Sequence, residues 1–287
     1  MKKTFFTLIA CASALCAAAQ TPRVGIDTTV APDNRLLFTA DIDGCGTFTV
    51  RMTFDRLENV AATELEAGST VTATTRGGVF YTLLPRDAAR PAEATFTADW
   101  LQGTLDARPD ADFVYRLPFA AGTTALATAL TPAEAGLMRA NVADFRMWQF
   151  TLAAGDDVYA MRRGQVIRIE GFGLTRTGGN TIVVEHADGT QASYTMLAEG
   201  SLQVACGDTV TPDTVLARAG QLPDGHYGAQ VALYRYVTNC KPHLFPQMIA
   251  TTAYLDPTFM LPIGKGTVRD GKRIKARVTR SLLQAEE

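Results

Sequence analysis

The stretch from Gly155 to Tyr236 constrains the fold of this chain most strongly. It opens GDDVYAMRRGQVIRI, continues GNTIVVEHADGTQASYTMLAEGSLQVACGDTVTPDTVLARAG and closes GHYGAQVALYRYV. Short β-branched runs alternate with Gly and Asp-Gly turn signals at close spacing, a pattern of strands rather than helices. Gly164 precedes Val166 and Ile167, and Gly179-Asn180 precedes the apolar run at 182–184. Asp188-Gly189 turns the chain towards Tyr194, and Gly207-Asp208 turns it into Val210.

The preceding hundred residues have the same character. Residues 21–34, with Pro22, Pro32, Asp33 and Asn34, read as a loose lead-in. LLFTADIDGCGTFTVRMTF, at 36–54, is predicted to form two strands paired as a hairpin about Asp43-Gly44-Cys45-Gly46. Residues 69–75 and 79–84 are expected to form a second hairpin about Gly77-Gly78, with further short strands at 95–100 and 112–117. Their number and spacing fit a β-sandwich of roughly 100 residues. Asp41 and Asp43 are a polar turn more readily than a cation site, because turns select Asp for their own geometry. Thr131-Pro132-Ala133-Glu134 is a capped helix start, predicted to run to about Asn141. Near the end, Ile274, Ala276 and Val278 alternate with Arg273, Lys275 and Arg277. That period marks an edge strand protected by its charges; the alternative is a face for an anionic polymer.

A chain of 287 residues is long enough for about two domains. A net charge of −2 supplies no global attraction for nucleic acid or an anionic membrane. Lys2 and Lys3, the apolar run at 5–16 and Ala17-Ala18-Ala19 make a secretory signal peptide, with cleavage expected after Ala19. The run is too short for a stable membrane span. Leu8-Ile9-Ala10-Cys11 also has the form of a lipoprotein processing box, which ranks second. Export to the periplasm or beyond the cell, without a membrane span, is the expectation. Cys45, Cys206 and Cys240 would then meet an oxidising compartment, and no Cys-x-x-Cys pattern points to a cysteine zinc site.

Several pieces of the chain arrive in an order that resembles the lysostaphin-type zinc metallopeptidases, which cut peptide cross-links in bacterial cell walls. They are Gly155-x-x-Val158-Tyr159-Ala160, Gly164-x-Val166, Gly179-Asn180 and Val184-x-His186. Tyr194-x-x-Leu197, Val204-x-x-Gly207-Asp208-x-Val210 and the segment 216–220 follow. The likeness covers most of residues 115–257. It implies an all-β fold, with an N-terminal β-sandwich followed by a duplicated-hybrid-motif domain. The expected division is signal peptide 1–19, sandwich 20–114, peptidase-like domain 115–260 and basic strand and tail 261–287.

In that family an upstream histidine and aspartate, with the second histidine of a His-x-His strand, hold one zinc. The first histidine of that strand and the histidine of a Tyr-x-His-Leu segment assist the activated water. Here the first histidine in the sequence is His186, and the aspartate position is Gln149. Tyr-x-His-Leu reads Tyr194-Thr195-Met196-Leu197, and His-x-His reads Gln230-Val231-Ala232. Neutral Gln, Met and Ala do not supply the imidazole and carboxylate ligands of a tight zinc site. The resemblance therefore implies a scaffold with no catalytic residues, metal or cofactor. Phe145, Gln149, Met196, Gln230 and Ala232 are expected to converge on the floor of a vestigial cleft, with His186, Tyr194 and His226 at its edge. His186 reads as a hydrogen-bonded structural side chain more readily than a ligand. Cys206 and Cys240, each following a strand of the same domain, are expected to pair.

The expected function is binding of a cell-wall peptide or envelope protein, with regulation of wall hydrolases as one form of it. An active zinc endopeptidase with a non-standard site and a purely structural envelope module stay open as alternatives.

Overall fold

The structure, a computed structural model, describes residues 22–135, 144–171, 180–238 and 249–277. The expected signal sequence with Cys11, the continuation of the predicted helix past residue 135, Gly179, Cys240, His243 and Val278 lie outside the described residues. Among the described residues the chain is all-β, with no helix.

The first six strands are β1 (Arg23–Val30), β2 (Leu36–Asp43), β3 (Phe48–Glu58), β4 (Thr70–Thr75), β5 (Gly78–Leu83) and β6 (Glu93–Gln102). They form two antiparallel sheets in the orders β1-β2-β5 and β4-β3-β6. Alternate residues of β2 (Leu36, Phe38) and β3 (Val50, Met52, Phe54) point into one core between the sheets. Phe38 and Phe54 meet edge to face there, with ring centroids 5.9 Å apart. Burying each such ring stabilises the fold by about 2–3 kcal/mol.

Two expectations change here. The residues 36–54 do form two strands about the Gly-rich turn, but β2 and β3 lie in different sheets, so the turn is an arch across the core and not a hairpin. The same holds for β4 and β5 about Gly77-Gly78. Apolar alternation places the inward faces of consecutive strands opposite one another, and facing across a core satisfies this as well as pairing side by side. The lead-in is also more ordered than expected: β1 pairs with β2 along its whole length, and Val24 and Ile26 pack on the core.

The next strands are β7 (Val114–Tyr115), β8 (Thr124–Ala129), β9 (Trp148–Leu152), β10 (Asp157–Tyr159), β11 (Gly164–Glu170), β12 (Asn180–Glu185) and β13 (Gln191–Leu197). They continue as β14 (Thr209–Val210), β15 (Val215–Arg218), β16 (Gly220–Gln221), β17 (Tyr227–Thr238) and β18 (Ala250–Leu255). The last are β19 (Thr258–Leu261), β20 (Gly264–Gly266) and β21 (Lys272–Lys275). One large sheet runs β14-β11-β12-β13-β17-β9-β8-β21, with β16 and β18 also paired to β17. The charged strand β21 ends this path, where its pattern placed it.

The ladder registers sort the side chains of this sheet. Ile182, Val184, Tyr194, Val231, Leu233 and Phe150 point to the second core, which also takes Tyr115, Leu117 and Phe119. The residues between them, Glu185, Gln191, Thr195, Gln230 and Gln149, therefore share the opposite, outer face. Thr131 and Glu134 make the expected reciprocal cap: the Thr131 N–H donates to Glu134 Oε2 at 2.8 Å and the Glu134 N–H to Thr131 Oγ1 at 3.3 Å.

Candidate functional site

The outer face carries a polar row that crosses four strands. Thr128 of β8 stands opposite Gln149 of β9, Gln149 opposite Gln230 of β17, and Gln230 opposite Thr195 of β13. Gln230 Nε2 donates to Gln149 Oε1 at 3.0 Å, and Thr195 Oγ1 lies 3.5 Å from Gln230 Oε1. Gln149 and Gln230 are both buried, so their amides face each other and not solvent. Ala232 is also buried, two residues along the same face of β17 and opposite Ser193. Phe145, just before β9, is buried with its ring 4.9 Å from that of Tyr254 on β18.

Met196 follows Thr195 and is half-buried. Its φ of 60° is left-handed, in a register irregularity between β12 and β13. The other non-glycine residues with positive φ among the described residues are Asn34, Asn59 and Asp106, types that tolerate it. A methionine held there costs about 1 kcal/mol or more, so its surroundings must fix the backbone.

The three edge positions separate. Tyr194 is fully buried in the second core, and its hydroxyl accepts the Met161 N–H at 2.7 Å. His226 is exposed on the turn before β17, with Nδ1 3.4 Å from Asp224. His186 is buried in a different group of side chains. His186 Nδ1 lies 2.8 Å from Thr190 Oγ1, and the Thr190 hydroxyl donates to Asp188 Oδ1 at 2.7 Å. That hydroxyl has one proton, which Asp188 takes, so His186 Nδ1 carries the donor hydrogen. Asp188 Oδ2 in turn accepts from Arg162 at 2.6 Å, and Arg162 stacks 3.8 Å over the Phe113 ring.

Burial, followed by the Arg162 charge, depresses the His186 pKa to about 3 despite the opposing charge of Asp188. Burial opposes the charge of Asp188, but hydrogen bonds from Thr190, Arg162 and the Asp110 N–H outweigh it and hold the carboxyl at about 2. His186 is thus neutral beside a fixed ion pair, as a hydrogen-bonded structural side chain would be. The sequence showed Asp188 only as half of an Asp-Gly turn and did not single out Arg162 or Thr190.

Among the described residues no group of three or more His, Cys, Asp or Glu side chains could hold a metal ion. The hoped-for partner of Cys206 lies outside the described residues; the thiol that Cys206 meets is Cys45, at the tip of the β2–β3 arch. An open hollow of about 410 Å³ lies further along β17, between Ala98, Asp99, Trp100 and Leu101 of β6 on one side and Tyr236, Ile249 and Ala250 on the other.

Residues 147–257 match the model of peptidase family M23. That span holds Gln149, Met196, Gln230 and Ala232, and also His186 and Cys206. No curated protein matches the chain. Among solved structures it is similar to pseudoalterin, a deep-sea M23 metalloprotease, at 19% identity over 58% of this chain and 96% of that one, with a TM-score of 0.32. It is also similar to the SpoIIQ–SpoIIIAH pore-forming complex, at 17% identity over 48% and 87% with a TM-score of 0.29. A third likeness is to Csd3 of Helicobacter pylori, at 10% identity over 82% and 75% with a TM-score of 0.31. No helix among the described residues is long and apolar enough to cross a membrane. The chain thus carries, over residues 147–257, a segment similar to peptidase family M23, and its described residues are all-β.

Proposed function

We propose that this chain is an exported, catalytically inactive relative of the M23 peptidases, which binds a cell-wall peptide or an envelope protein instead of cutting wall peptides. The observation that carries this reading is the amide pair of Gln149 and Gln230, 3.0 Å apart where the resemblance expects a zinc-binding aspartate and a histidine that assists the activated water. Each amide already uses the other. A buried neutral pair of this kind, beside a methionine and an alanine methyl, is not a donor set for zinc, which takes imidazole, thiolate or carboxylate. With no metal to lower the pKa of a water, and no imidazole at Met196 to move a proton, the residues present have no route to hydrolysis.

Binding would use surface beside this row, since the amide pair at its centre is buried. The hollow between β6 and Tyr236 suits an extended peptide: β6 is an edge strand of its sheet, and Trp100 offers it an aromatic face. The division into a sandwich at 20–114 and a peptidase-like unit at 115–260 is part of the same reading, supported by two separate apolar cores.

The test is made on the mature full-length protein. Metal analysis is expected to find far less than one zinc per chain, and purified peptidoglycan is expected to be retained but not shortened. Met196→His alone should leave both results unchanged, since one imidazole falls short of three ligands. One tightly bound zinc per chain, with cleavage abolished by a chelator, would refute the inactive reading. Failure to retain either peptidoglycan or any envelope protein would remove the binding role.

A further inference from the structure

The β2–β3 arch does not stand free. The Thr47 N–H donates to Glu185 Oε2 on β12 at 3.0 Å, and Gln102 Nε2 spans the Cys45 carbonyl at 2.9 Å and the Ile167 carbonyl of β11 at 2.8 Å. The tip of the arch is thereby pressed on β11, where the loop before β14 also lands: the Gly207 N–H donates to the Val166 carbonyl at 2.7 Å. Cys45 sits on the arch and Cys206 on that loop. The Cys206 thiol donates to the Ile167 carbonyl at 3.2 Å, and the Cys45 thiol lies near enough to add to burial in raising its pKa. A Cβ built on neighbouring Gly207 would lie 3.6 Å from Cys45 Sγ. Both thiols are partly exposed, so an oxidant can reach them.

We propose that Cys45 and Cys206 are a disulfide site, which in an oxidising compartment fastens the sandwich unit to the M23 domain. The inference stands apart from the peptidase reading, because it needs only the thiol pair and a disulfide-bearing oxidant such as oxidised glutathione. One protein thiol loses its proton and attacks a glutathione sulfur, expelling a glutathione thiolate that takes up a proton. The second protein thiol then attacks the mixed disulfide and expels the second glutathione. Two protein thiols are oxidised, one glutathione disulfide is reduced, and one S–S bond is made for the one broken. In the reduced chain burial and the neighbouring Cys45 push the Cys206 thiol up to about 12, so closure at neutral pH is slow without an exchange catalyst.

Mapping decides the matter without any variant. The reduced, folded mature chain, from Gln20 onward, is incubated with oxidised glutathione, alkylated and digested with trypsin without reduction. Its three cysteines fall on separate peptides, 36–51, 177–218 and 236–265. The expected product joins 36–51 to 177–218 and leaves Cys240 alkylated. The thermal midpoint of the oxidised chain should exceed that of the reduced chain by about 5–10 °C, given a closed loop of well over a hundred residues. Cys240→Ser should keep both results and Cys45→Ser should lose both. Three alkylated cysteines, 177–218 joined to 236–265, or an unchanged midpoint on closure would overturn the proposal.

Discussion

His186 couples the stability of the fold to pH through a single buried ring. Its pKa in the fold, about 3, lies below the ordinary 6.5, so the unfolded chain takes the proton first. Its contribution is complete above pH 6.5 and declines as the pH falls towards 3, by ~4 kcal/mol in all and by about 2 kcal/mol over the first two pH units. Glu185 acts in the opposite sense: burial raises its pKa against the pull of the Thr47 hydrogen bonds and of Arg76. Its stabilisation holds at low pH and declines as the pH rises above the ordinary carboxylate value, so the two slopes partly cancel. The difference between wild type and His186→Gln isolates the histidine. Denaturant titrations at steps from pH 6.5 downward should show the wild type losing that much more than the variant, with parallel curves as the contrary result. Asp188, held at about 2, adds its own loss only below the ordinary carboxylate range.

Among the elements, the arch from β2 to β3 is the most exacting. Gly46 has φ +84°, and a Cβ there would come within 2.4 Å of Ile167 Cγ2 and 3.2 Å of Glu185 Oε2. Gly68 has a similar φ of +91° but nothing within 4 Å of its Cβ position. Gly68→Ala should cost about 1 kcal/mol from backbone strain alone, and Gly46→Ala about 2–3 kcal/mol because the arch must also lift from β11. Equal costs for the two variants, measured by urea unfolding, would mean that the arch does not press on β11. The sequence carried the strands on either side of this glycine clearly, because alternation and turn residues are local signals. Whether β2 pairs with β3 or faces it is set by contacts with Val60, Leu83 and Ala92, far along the chain, and local pattern has no access to them. β1 was legible in the alternation of Val24 and Ile26, but Pro22 and Pro32 at its flanks obscured it. In the candidate site, Gln149, Met196, Gln230 and Ala232 were legible by position only. That Gln149 and Gln230 satisfy each other follows from the ladder register, and that Met196 is left-handed follows from a register irregularity that no turn residue announces.

Across the whole molecule, the two apolar cores are joined by polar contacts, and this sets how the chain should unfold. Gln102 stands at the centre: its Nε2 holds the Cys45 and Ile167 carbonyls, and its own carbonyl accepts Gln191 Nε2 at 3.1 Å. Arg235 Nη1 on β17 reaches the Ala107 carbonyl at 2.6 Å, and the Thr238 N–H reaches Asp106 Oδ1 at 2.9 Å, closing the other side of the junction. Gln102, Glu185 and Gln191 are all buried, so these groups cannot exchange their partners for water while the units stay together. Opening the junction alone would expose polar groups already satisfied and gain little; unfolding one unit removes the partners of the other. The reduced wild-type chain should therefore melt in a single transition. Gln102→Leu keeps much of the side-chain volume but leaves the part-buried Cys45 carbonyl without its donor and the buried Ile167 carbonyl with only the weak Cys206 thiol, at a cost of about 1–3 kcal/mol for each. That is enough to uncouple the units, and calorimetry of the reduced variant is expected to resolve two transitions, the units around the two apolar cores melting apart. A single transition shifted by no more than about 2–4 °C, the change expected for ~1 kcal/mol in a chain of this size, would show that the apolar cores and not this polar junction make the molecule cooperative.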